Sequence, residues 1–151
     1  MTDAHEAAPK LGTWPVTVSL PVLWGDMDSF RHVNNVRYLR WFESARIAYF
    51  ETAGVLSRME SEGIGPILAR STIDYRIALE YPDTVRVSAT VLKLGSTSFT
   101  MGIRLTSERH AGAVAAEGEN VIAMRDYRAQ QKIALWPELR AAIIALESKP
   151  R

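Results

Sequence analysis

LWGDMDSFRHVNNVRYLRWFESARIAYFET, residues Leu23 to Thr52, joins the end of a strand to one long apolar helix, and its reading decides the fold. The apolar run before it ends at Trp24–Gly25, after which two aspartates, a histidine and two asparagines crowd one loop. A plain connector needs none of these groups, so the loop is read as the active site. Asn34 or Asn35 can cap a helix by accepting from its first free N–H groups. From Val36 onward, Leu39, Phe42, Ala45 and Tyr49 recur at helical spacing, and Tyr38, Trp41, Ala48 and Phe50 widen the apolar face until Gly54 stops it. Only Arg37, Arg40, Glu43, Arg46 and Glu51 interrupt that face. A helix this apolar is expected to be wrapped by other elements. At about 1.5 Å per residue it runs about 27 Å, a length that one curved sheet can enclose.

The flanking sequence supplies that sheet. Before the loop, Val16, Val18, Leu20 and Val22 alternate with Thr17, Ser19 and Pro21 in a first strand, and because Pro21 cannot donate a ladder bond the strand is expected to lie at an edge or to bend there. After the helix, residues 55–65 read as a polar connection. Ile67, Ala69, Ser71, Ile73 and Tyr75 are then expected on one face of a second strand. Tyr81–Pro82–Asp83 makes a turn. Val85 to Val91, Phe99 to Leu105 and Val114 to Arg125 give three successive antiparallel strands, joined near Gly95–Ser96 and through Glu108–Gly112. Pro137 opens a short terminal amphipathic helix carrying Leu139, Ile143 and Leu146. The order predicts an α+β fold, with a curved antiparallel sheet of about five strands around one long central helix. Residues 1–14 read as a loosely ordered tail, and residues 15–147 as a single domain.

Composition narrows the function. With 151 residues, 47% hydrophobic and 23% charged, the chain suits one core, and a net charge of +1 leaves no electrostatic footprint for nucleic acid. The absence of cysteine excludes disulfides, thiolate nucleophiles and sulfur-bound zinc, and fits a reducing cytoplasm. No apolar run approaches the about 20 residues that cross a bilayer, so no membrane span is expected. The three histidines are scattered through tail, loop and hairpin, which suits neither a Ser–His–Asp triad nor a metal site. No glycine loop for phosphate or dinucleotide occurs, so neither cofactor nor metal is expected.

The run from Gly25 to Glu43, with its D-x-D-x-x-x-H-V-N-N-x-x-Y spacing, resembles the signature of the hotdog-fold acyl-CoA thioesterases of the 4-hydroxybenzoyl-CoA thioesterase type. The likeness extends through Tyr75, Gly95–Ser98 and the last long strand. It implies hydrolysis of a fatty or aromatic acyl-CoA to free acid and CoA. It also implies an aspartate, here Asp28, acting as nucleophile or activating water, and a backbone N–H seven residues on, here that of Asn35, polarising the carbonyl. Chemistry agrees, because thioester cleavage needs a base beside the carbonyl and a donor for the oxyanion, and a helix N-terminus supplies free N–H groups and a favourable dipole. The hotdog family pairs sheets edge to edge, which implies a homodimer or a dimer of dimers with the pocket between subunits.

Each residue also has a plainer reading. Asp26 stabilises the loop. His32 either holds the loop or orients Asp28, the thioester or the attacking water. Related plant acyl-carrier-protein thioesterases have an asparagine two residues before their histidine, where this chain has Phe30. Asn34 caps the helix or meets the substrate, Tyr38 lines the acyl pocket or packs beneath the loop, and Glu43 pairs with Arg40 or Arg46. The competing functions are an acyl-carrier-protein thioesterase or dehydratase-like enzyme, and a non-catalytic acyl-binding module.

Overall fold

The computed structural model describes residues 8–150. Its elements run β1 (Val16–Val22), a 3-10 turn (Trp24–Asp26), α1 (Asn35–Ala53), α2 (Met59–Glu62), β2 (Ile64–Ser71), β3 (Asp74–Tyr75), β4 (Asp83–Leu94), β5 (Ser98–Ser107), β6 (Ala113–Asp126), β7 (Gln131–Lys132) and α3 (Pro137–Glu147). The sheet is antiparallel in the order β1-β4-β5-β6-β2, with β3 and β7 each pairing with β6. The expected five strands around a long helix are present, with two short strands and one short helix in addition.

Alternation builds the core. Val85, Val87, Ala89 and Val91 of β4 and Phe99, Met101, Ile103 and Leu105 of β5 are buried together with Phe42, Ala45, Tyr49 and Phe50 of α1. Phe50 meets Phe99 edge to face at 6.3 Å. Burying such side chains contributes about 1.5–3 kcal/mol apiece. The Glu147 side chain at the end of α3 is also fully buried, its Oε1 accepting from Val91 N–H at 2.6 Å and from the Thr90 hydroxyl.

Two sequence expectations change. The sheet does not wrap α1 on every side, because the charged positions share a flank, and with them Val36, Leu39 and Ile47 remain exposed. The second strand starts earlier, at Ile64, and does not bury one face, because it lies at the sheet edge with a bulge between Leu68 and Arg70. It then breaks before β3, where Thr72 N–H bonds Glu119 O at 2.8 Å. That approach needs Gly118, since a Cβ there would lie 1.9 Å from the Thr72 carbonyl oxygen.

Residues 1–7 of the expected tail lie outside the described residues. Its end is fastened: Gly12 N–H donates to Val91 O at 2.9 Å, Thr13 Oγ1 donates to Glu147 O at 2.8 Å, and the Arg104 guanidinium sits 4.1 Å from the Trp14 ring. Among the described residues no helix is long and apolar enough to cross a membrane.

Candidate active site

The loop between β1 and α1 is built by its own polar groups. Asp26 is buried; its Oδ2 accepts from Leu23 N–H at 2.7 Å and its Oδ1 lies 3.3 Å from Arg37 Nε, so it fixes the 3-10 turn and ties it to α1. Its backbone carbonyl accepts from Asn34 N–H at 2.9 Å. Beyond it, Asp28 N–H donates to His32 O and Arg31 N–H to Asp28 O, each at 3.0 Å, closing a tight turn with Arg31 at φ 64°. The loop is then pinned to the strand side by Val33 N–H donating to Leu79 O at 2.8 Å.

This scaffold aims Asp28. Its Oδ1 accepts from Phe30 N–H at 2.9 Å, and its Oδ2 accepts from Asn34 Nδ2 at 3.2 Å. Asn34 is the N-cap: its Oδ1 accepts from Val36 N–H at 2.9 Å, and because that N–H can only donate, the amide nitrogen is left for Asp28. One side chain therefore both starts the helix and orients the carboxylate. Asn35 is the first residue of α1, and among the described residues its N–H has no hydrogen-bond partner, as expected of a first-turn donor.

The remaining candidates lie on a neighbouring flank. Tyr38 packs beneath the loop, its hydroxyl donating to Ile77 O at 3.2 Å and accepting from Leu79 N–H at 3.3 Å. Burial pushes that hydroxyl's pKa up, against the opposing pull of the Leu79 N–H. Tyr75 meets the Tyr38 ring edge to face at 5.1 Å. His32 faces Glu80 rather than Asp28: its Nε2 lies 3.8 Å from one Glu80 oxygen, and Arg109 approaches the other at 3.8 Å, in an exposed cluster. Glu80 and Arg109 had no mark in the sequence, since the first precedes a turn and the second sits in a hairpin. Glu43 lies near both Arg40 and Arg46, at 3.4 and 3.8 Å.

Three cavities lie around the loop and the helix start, two of them sharing Met27 and Asp28. Asp28 lines one of about 570 Å³ with Trp24, Met27, Arg31, Glu80 and Tyr81. It also lines one of about 490 Å³ that includes Asn34, Val36, Arg37 and Arg40. His32, Asn35 and Tyr38 line a third of about 320 Å³. The structure thus brings Asp28 and Asn34 into contact, and puts His32, Asn35 and Tyr38 together on the wall of a separate cavity that Asp28 does not line. Among the described residues no three histidine, aspartate or glutamate side chains gather as a metal site would require. A carboxylate held by two donors beside a helix start, with open space on either side, can take a proton from water next to a bound carbonyl.

Comparison with known proteins gives the family. Residues 22–143 match the family model described as the Thioesterase-like superfamily. The long-chain acyl-CoA thioesterase FadM of Escherichia coli is 28% identical over 114 residues, 76% of this chain and 86% of FadM. Protein THEM6 of Xenopus laevis is 38% identical over 71 residues, 47% of this chain; that match spans 34% of THEM6. A thioesterase from Thermus thermophilus, solved with coenzyme A and zinc, superposes with a TM-score of 0.78 at 30% identity, covering 93% of this chain and 99% of that one. The fold is accordingly the hotdog fold, and the chain belongs to the Thioesterase-like superfamily.

Proposed function

We propose that this chain is an acyl-CoA thioesterase of the 4-hydroxybenzoyl-CoA thioesterase type, hydrolysing a fatty or aromatic acyl-CoA to free acid and CoA. The observation that carries the reading is the pairing of an oriented carboxylate, Asp28, with the first N–H of α1, unpartnered among the described residues, in one loop–helix junction. Family membership and the likeness to FadM and to the Thermus enzyme support the substrate class.

In this mechanism the thioester carbonyl oxygen accepts from Asn35 N–H, where the helix dipole favours negative charge. Both Asp28 oxygens already hold one donor each, which suits a fixed base better than an attacking nucleophile. The carboxylate removes a proton from water as the water oxygen bonds to the carbonyl carbon. The resulting oxyanion is held by Asn35 N–H. Collapse breaks the C–S bond, and the proton on Asp28 passes to the departing thiolate. Asn34 positions Asp28, His32 acts through Glu80 on the loop, and Tyr38 supports the floor. The working unit is the single domain of residues 15–147, and the lack of cysteine supports a reducing cytoplasmic setting.

We further propose a homodimer. The β1 edge carries Pro21, whereas the β2 edge exposes Ile67. An unblocked apolar edge is normally paired.

The test is Asp28→Ala assayed by thiol release from a panel of acyl-CoAs. The expected outcome is a kcat loss of about 10²–10⁴ with KM within a few fold. An unchanged kcat rejects the mechanism.

A further inference from the structure

A second feature of the surface joins the site just described. The Asp28 cavity that includes Val36 and Arg40 adjoins a groove of about 250 Å³ that those same two residues also line. This groove follows the exposed flank of α1 toward the β2 edge. Leu39, Phe42 and Leu68 give it apolar walls, and Arg46 is the lining residue furthest along α1 from Asp28. From Val36 to Arg46 the helix rises about 15 Å.

The far end changes character. Arg46 has a side chain only 11% exposed, whereas Arg40 and Glu43, the other charged residues that line the groove, are 70% and 48% exposed and can turn to solvent. Its Nη1 donates to Asn120 Oδ1 at 2.8 Å, and Asn120, fully buried, donates through Nδ2 to Ser71 Oγ at 3.0 Å. Ser71 also lines the groove. Glu43, 3.8 Å away, holds the guanidinium from the other side. So anchored, Arg46 cannot swing out of the path without breaking a bond to a buried amide.

We infer that the groove along α1 receives the acyl chain, and that Arg46, fixed by Asn120 and Ser71, sets the longest straight chain the enzyme accepts. The inference rests on the thioesterase reading above. Its occupant follows from continuity: a chain leaving a carbonyl beside Asp28 passes Val36 and Arg40, which line both cavities, and reaches the apolar walls of Leu39, Phe42 and Leu68. A methyl terminus that reaches Arg46 strips water from a charge and offers no acceptor in return, which is costly. Shorter chains end before that point and gain apolar contact with each added methylene. Burial also lowers the Arg46 pKa, in keeping with a guanidinium already short of solvent.

The test uses the whole chain and saturated straight-chain acyl-CoAs of graded length, with kcat/KM recorded for each. The wild type is expected to rise with length and then break downward. Arg46→Met keeps the stem but removes the charge, so the break should move to longer chains, with a gain of roughly tenfold on the first chain beyond the wild-type limit. Leu39→Trp fills the groove midway from an exposed position and should move the break to shorter chains. An Arg46→Met profile identical to wild type overturns the inference. If Arg46→Met does not fold, Leu39→Trp decides alone, and an unmoved break overturns it. A Leu39→Trp protein with the wild-type profile but an altered particle mass would assign the groove to a second copy of the chain. Failure of the wild type to hydrolyse any acyl-CoA removes the thioesterase reading itself, whereas activity with an unshifted profile removes only the length limit.

Discussion

Asn34 joins two tasks in one amide, and two substitutions separate them. Asn34→Ala deletes the cap to Val36 N–H and the donor to Asp28 together. Loss of such a cap costs about 0.5–2 kcal/mol. At roughly 2–4 °C per kcal/mol for a chain of this size, melting falls by about 1–8 °C. Asn34→Asp restores an acceptor at the N-cap, and its charge suits the helix N-terminus. It also sets a carboxylate where the amide nitrogen stood, 3.2 Å from Asp28 Oδ2. At that distance like charges repel by about 1 kcal/mol in water and about 5 kcal/mol at an effective dielectric of 20, and this half-buried site lies between those limits. The assay pairs thermal melts with thiol release under saturating acyl-CoA. Asn34→Asp should melt within a few degrees of wild type yet turn over more slowly than Asn34→Ala. Wild-type activity in Asn34→Asp, or kcat that simply follows melting temperature across the pair, would refute the positioning role.

Asp26→Asn should lower stability by about 1–3 kcal/mol through the loosened Leu23 and Arg37 contacts, with a smaller effect on kcat than any change at Asp28; chemical denaturation beside kinetics reads the ranking. For the assembly, light scattering at micromolar concentration should give at least twice the chain mass of 16.8 kDa, and an exposed charge introduced by Ile67→Lys should lower it. A fully active particle at the single-chain mass would remove the dimer.

Local chemistry made the helix and its loop legible. Asn34 and Gly54 bound α1 as their side chain and left-handed conformation, φ 77°, require, and the alternation in β4, β5 and β6 marks faces that are buried. Asp26 could be read as structural because aspartates before helices turn loops. What escaped the sequence depends on distant pairings. The break between β2 and β3 is set by Gly118, a residue of another strand. His32 meets Glu80 and Arg109, which only the fold brings alongside. Glu147 looks like a solvent residue of an amphipathic helix, but donors from Thr90 and Val91 draw it inside. The outward flank of α1 escapes the sequence pattern because Leu39 shares helical spacing with buried neighbours while facing the groove.

The central claim is that a backbone N–H at the start of α1 holds the oxyanion, and Asn35→Pro addresses it directly. Asn35 is the first helical residue, a position that accepts proline, and Asn34 at φ −62°, ψ 138° already has the backbone that a residue before proline prefers. The side chain is exposed and the N–H bonds nothing among the described residues, so the fold should melt near the wild-type temperature. The account predicts a folded protein whose kcat has fallen by about 10²–10³, the usual loss of one oxyanion donor. Wild-type kcat in folded Asn35→Pro would contradict it.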